Sequence, residues 1–162
     1  MIPAPDERYS RAMPMPITLL AVTLAAILLG CGSLFGARTQ VPSSPLVVRD
    51  ATIDGAPWRL LVAGQDGMRG RQDFGGADGM LFDLGGAIEP GAVPFVMDGV
   101  SIPLAIAWFA ADGSLVGRAE MVPCPAEPCH RYEAPSAFRW AVEAPRGAFD
   151  ALDRGARLEI QP

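Results

Sequence analysis

The segment Ile102-Pro-Leu-Ala-Ile-Ala-Trp-Phe109 constrains the fold of this chain more than any other stretch. In an extended conformation Ile102, Leu104, Ile106 and Trp108 share one face, and Ala105, Ala107 and Phe109 share the other. Apolar residues on both faces, in place of alternation, mark a strand covered on both sides. Such a strand needs neighbours in its own sheet and a layer above and below it, so the rest of the domain is expected to be laid around it.

Turn chemistry points the same way. Asp-Gly occurs at Asp54-Gly55, Asp66-Gly67, Asp78-Gly79, Asp98-Gly99 and Asp112-Gly113, and such pairs favour tight connections between short strands. The intervening runs predict strands over 46–53, 58–63, 80–83, 93–98, 114–122, 137–144 and 157–160 beside the central one. One helix is predicted from Pro145 or Gly147 through Leu152, with proline at its start and Gly155 beyond its end, and a single turn is predicted over Asp66 to Arg71. The expected fold is a compact antiparallel β-sandwich or barrel, jelly-roll-like, with one or two short helices.

The amino-terminal part has a different character. No residue from Ala12 to Ala37 is charged, and the apolar core Ile17 to Leu29 runs directly into Gly30-Cys31. A core of that size followed by small residues fits a secretory signal. Leu28-Leu29-Gly30-Cys31 resembles the lipobox of bacterial lipoproteins, in which the cysteine is acylated and becomes the first mature residue. An uncleaved membrane anchor is the alternative, because the charge-free run is long enough to cross a bilayer. Both readings place the domain in the bacterial envelope, at the periplasm or cell surface, tethered to a membrane. The expected organisation is a lipoprotein signal or anchor over residues 1–30, a proline- and serine-containing tether over 31–45, and a β domain over 46–161.

Three cysteines are present. With Cys31 assigned to lipidation, Cys124 and Cys129 remain as a pair in a proline-rich loop, and an oxidising envelope permits a disulfide there. The formal net charge of −5, without a basic stripe, argues against nucleic acid as a partner.

A resemblance emerges from residues that follow one another in order: Gly67-Met-Arg-Gly-Arg71, Gly79-Met-Leu-Phe82, Phe95-x-Met97, Ile102-Pro-Leu104, Asp112-Gly113, the Cys124 to Cys129 loop, Tyr132 and Glu143-x-Pro-x-Gly147. This ordered set resembles the domain of unknown function 192. The resemblance implies a mainly β, jelly-roll-like sandwich with no assigned enzyme activity. The family pattern through the central strand reads Phe-Trp-Met-Lys-Asn-Thr-x-Ile-Pro-Leu-Asp. Here its apolar frame is kept, while Asp98, Gly99, Val100 and Ala105 stand where the pattern has Lys, Asn, Thr and Asp.

Candidate chemistry is sparse. Asp98, His130, Arg131, Tyr132 and Glu143 are the residues expected to form a ligand-binding surface beside the Cys124 to Cys129 loop. A metal site from the two cysteines and His130 has no fourth ligand and needs reduced thiols, so none is assigned. Asp73, Asp78, Asp83, Asp98 and Glu143 are the carboxylates from which a catalytic pair could come. Asp78 and Asp98 read more simply as turn residues, and Glu143 as a cap or the partner of Arg139 or Arg131. Gly75-Gly76 and Gly85-Gly86 read as loop tips, and Trp58, Trp108 and Trp140 as core residues. No catalytic set and no cofactor is assigned. The sequence favours a non-enzymatic accessory module that binds a glycan or an envelope protein. A small secreted hydrolase or carbohydrate-active enzyme using Asp98 or Glu143 is the competing reading.

Overall fold

The computed structural model describes residues 47–162, so the signal or anchor, Cys31 and the tether lie outside the described residues. The β domain is built from nine strands: β1 (Val48–Ile53), β2 (Ala56–Val62), β3 (Gly79–Ile88), β4 (Phe95–Val96), β5 (Leu104–Phe109), β6 (Leu115–Met121), β7 (Arg131–Tyr132), β8 (Phe138–Pro145) and β9 (Leu158–Ile160). Seven of them form one sheet in the order β6-β5-β8-β3-β2-β1-β9, and β4 and β7 form a separate two-stranded sheet. The mainly β class read from the sequence is present.

Every residue of β5 is buried, and the strand lies between β6 and β8, antiparallel to both. Its alternate side chains enter two different hydrophobic clusters. Leu104, Ile106 and Trp108 pack with Met68, Phe74, Met80, Phe95, Met97, Val100 and Phe138. Ala105, Ala107 and Phe109 pack with Ile53, Leu60, Leu81, Val142, Phe149 and Leu158. The second cluster draws on both ends of the sheet, because the sheet curls until Ser114 and Arg157 form an isolated bridge between its edges. No continuous ladder joins those edges, so the sheet is not a closed barrel.

Local chemistry explains the connections. Asp54 and Gly55 both have positive φ, 51° and 76°, and close a two-residue loop between Ile53 and Ala56. This is the hairpin geometry that Asp-Gly favours, and its backbone twist matches the flanking strands. The next connection departs from an all-antiparallel expectation. β2 and β3 are parallel, with Leu61 opposite Met80, and parallel neighbours require a crossover. Residues 63–78 supply it, and Met68 and Phe74 anchor it over the first cluster.

Two further corrections concern glycine. Gly85 and Gly86 lie inside β3, where the register with β8 shifts between Asp83 and Ile88, rather than at a loop tip. The predicted helix after Pro145 does not form either. Pro145 is the last residue of β8, and Gly147 has φ 81°, which breaks helical continuity at the second position. The segment instead closes as successive turns, with the amides of Ala148, Asp150 and Leu152 donating to the carbonyls of Pro145, Gly147 and Phe149. Those turns drive Phe149 into the second cluster, stacked on Trp58 with ring centroids 5.6 Å apart. Residues 65–70 are likewise turns, and no described residue is helical.

The three tryptophans are core residues, as read from the sequence. Trp108 is buried in the first cluster, and Trp58 and Trp140 pack against the second.

Candidate functional site

On β8, Val142 and Ala144 face the second cluster while Ala141 faces the first. Strict alternation therefore turns Glu143 toward the first cluster, flanked by Met80 of β3 and Ile106 of β5. Only 6% of Glu143 is exposed, and it is the one buried charged residue among those described. Burial pushes its carboxyl up to about 7, because the apolar surroundings disfavour the ionised form. Among the described residues its side chain takes part in no ion pair or hydrogen bond. Pairing with Arg139 or Arg131, expected from the sequence, does not occur. Arg139 pairs with Asp83 at 3.3 Å, and Arg131 with Glu133 at 3.4 Å.

Above Glu143 opens a cleft of about 860 Å³. One wall is the start of the crossover, from Ala63 to Arg69; another is Phe82 to Leu84 of β3; the third is Val93 to Val96, with Asp98 and Val100 beyond. Phe82 and Phe95 meet edge to face at 5.3 Å within this lining. The volume suits a small organic ligand, and the composition, mostly apolar with a few polar groups, is that of ordinary ligand sites.

The other candidate carboxylates are tied to the scaffold. Asp73 accepts from the amide of Gly75 at 2.8 Å, Asp78 from the amide of Arg59 at 2.7 Å, and Asp83 from the amide of Gly85 at 2.9 Å. Asp98 stands at the rim of the cleft, in an ion pair with Arg69 at 2.5 Å. Glu143 differs from all four in being buried and in having no partner among the described residues.

The remaining predicted residues do not line that cleft. Tyr132 is the buried residue of β7, and its hydroxyl accepts a hydrogen bond from the amide of Val122 at 3.0 Å, an architectural role. His130 packs edge-on against the Tyr132 ring at 4.5 Å, and Arg131 is exposed beside Glu133. The expected grouping thus divides, with Asp98 and Glu143 on the cleft and His130, Arg131 and Tyr132 around β7.

Cys124 and Cys129 form a disulfide with Cα atoms 5.5 Å apart, and the Glu127-Pro128 peptide within the loop is cis. Their sulfurs are bonded to each other, so the arrangement with His130 offers no thiolate ligands. Carboxylate oxygens of Asp98 and Glu127 lie within 4.8 Å of each other and of the Cys129 sulfur. That grouping fails the same way, since the sulfur is oxidised and Asp98 holds Arg69.

The sequence reading missed the apolar walls, Met68, Phe82, Phe95 and Val100. Their only signal is that they are large apolar residues beside Asp-Gly turns, a pattern core residues share.

Among the described residues, nine strands and an unpaired buried carboxylate beneath a cleft define a β-rich domain with a candidate small-molecule site. The chain belongs to the DUF192 family (Uncharacterized ACR), whose model matches residues 62–160. Two solved structures share the fold, each with a TM-score of 0.60. One is a Sinorhizobium meliloti 1021 protein provisionally described as a transcription regulator, 21% identical, with 73% of this chain and 97% of that one covered. The other is a Novosphingobium aromaticivorans DSM 12444 protein of unknown function, 20% identical, with 73% of this chain and 89% of that one covered. Among curated proteins none matches the chain.

Proposed function

We propose that this protein is a non-enzymatic binding module of the bacterial envelope, held at a membrane through its amino-terminal segment, that takes a small ligand into the cleft over Glu143. The observation that carries this reading is a buried carboxylate, without a partner among the described residues, at the floor of an open cleft of about 860 Å³. An isolated buried ionisable group lowers stability, and a fold in which no other described carboxylate is buried keeps this one most simply where a ligand meets it. The apolar core ending at Gly30-Cys31 supports the membrane tether. Glycan fragments and an envelope protein are the partners for which the location argues.

Ligand-observed NMR on the full-length protein in detergent, against a mixed panel of neutral, cationic and anionic fragments including cell-wall sugars, tests the reading. Val93 lies exposed on the rim, so Val93→Trp blocks the cleft without touching the core. Hits that bind the wild-type protein and are lost in Val93→Trp support the module. A panel without hits, or hits indifferent to the block, sinks it.

The hydrolase reading has one observation in its favour. A carboxyl raised to about 7 is protonated as a general acid requires. Its second group would be Asp98, which the 2.5 Å pair with Arg69 already engages. Turnover of any glycan fragment that disappears in both Asp98→Asn and Glu143→Gln would favour the hydrolase over the module.

A further inference from the structure

We infer that the ligand of this cleft carries a positively charged amino or ammonium group on an apolar body, with the charge seated against Glu143. The inference rests on the cleft being a binding site and names the chemistry that it selects.

The charges around the cleft set the sign. Asp66, Asp83, Asp98 and Glu143 line it, against the single cation Arg69. Arg69 is held by Asp98, and Arg139, which faces Asp83 from β8, is held by Asp83. Neither guanidinium is left for an anionic ligand, which would meet the two carboxylates that have no arginine among the described residues, Asp66 and Glu143. A ligand cation removes the mismatch at the floor, because it supplies the opposite charge that the described residues do not bring to Glu143.

A bare divalent ion fits less well. Calcium and magnesium take six or more oxygen ligands, and Glu143 offers one carboxylate while Asp83 and Asp98 are engaged by arginines. An organic ammonium needs one close carboxylate and profits from the walls. Phe82 and Phe95 present aromatic surface beside the floor, where a cation gains from the ring quadrupoles and the body of the ligand gains from burial.

Protons are conserved in a definite way. Burial leaves the carboxyl of Glu143 about half protonated near pH 7. A bound ammonium favours the ionised form, so ligand entry drives off whatever proton Glu143 holds, about half a proton per site near pH 7 and more below it. Affinity therefore falls as pH drops below that value. Asp66, Asp83, Asp98 and Arg69 are the other charged groups facing the cleft.

The probes are phenethylamine, its neutral counterpart phenethyl alcohol, and the anion 3-phenylpropionate, titrated into full-length protein in detergent, with Val93→Trp as the control for partition into micelles. At about pH 8 the amine is expected to bind roughly tenfold more tightly than the alcohol, a preference that shrinks several-fold at about pH 5.5 as Glu143 protonates. Glu143→Gln is expected to abolish the preference while still binding the alcohol, which shows that the variant is folded. Equal or tighter binding of the alcohol or the carboxylate overturns the cation inference and leaves the cleft reading standing, as does an amine preference that survives Glu143→Gln. Failure of all three probes, together with a fragment panel that yields nothing, overturns both.

Discussion

The two faces of β5 are covered by different means. Ala105, Ala107 and Phe109 look into a cluster supplied almost wholly by the curled sheet, with Phe149 and Leu158 closing it. Small alanines on the central strand let the other strands approach, and regular ladders fix each contact. Leu104, Ile106 and Trp108 look into a cluster covered by the crossover and by segments around β4 and β7, whose contributions include Met68, Phe74, Phe95 and Met97. Loops cannot tile a sheet as evenly as strands do, and the cleft with Glu143 at its floor lies on this side. The strand-covered face confers stability, whereas the loop-covered face leaves room for a ligand.

Substitutions sharpen the contrast. The largest expected loss is at the strand-covered face: Phe109→Ala removes a fully enclosed ring and should cost about 4 kcal/mol in urea unfolding. A loss under about 1 kcal/mol would mean that this face is not the rigid one.

Glu143→Gln should move stability the other way. The folded carboxyl titrates near 7 against an ordinary value of 4.5, so the folded state holds a proton that the unfolded chain releases between those values. Wild-type stability from this group is present in full below the unfolded value and falls as pH rises, by about 3 kcal/mol once pH passes 7. Unfolding curves should therefore show Glu143→Gln near neutral at about pH 5 and up to about 3 kcal/mol more stable than wild type at about pH 8. A pH-independent difference would remove the desolvation account.

Opening the Cys124–Cys129 bridge by the double serine variant should cost about 2 kcal/mol, the chain-entropy value for so small a loop. Arg69→Ala should cost less than about 1 kcal/mol, because its pair with Asp98 is well exposed to water. A much larger loss would show that the rim of the cleft is as structural as the opposite core.

What could be read from the sequence follows this same division. β5 was legible because burial on both faces leaves an unbroken apolar run, and the first hairpin because Asp54-Gly55 suits its turn. The helix after Pro145 was misread because proline and Gly155 imitate helix boundaries, while the positive φ of Gly147 is a conformation that composition does not disclose. The parallel pairing of β2 with β3 was invisible for a similar reason: the crossover has no periodicity, and its anchors Met68 and Phe74 acquire meaning only once the sheet lies beneath them. Glu143 was singled out, but its state was not. Its place at the end of an apolar strand suggested an arginine partner, and its burial is set by Met80 and Ile106, which only strand pairing brings alongside.

The ionisation of Glu143 in the folded protein tests the account most directly, through a carbon-detected NMR titration of the side-chain carboxyl. A midpoint near 7, shifting downward when phenethylamine is added, is the result expected. A midpoint at the ordinary value of 4.5, unmoved by the amine, would mean a hydrated or already paired carboxylate, and would contradict the site.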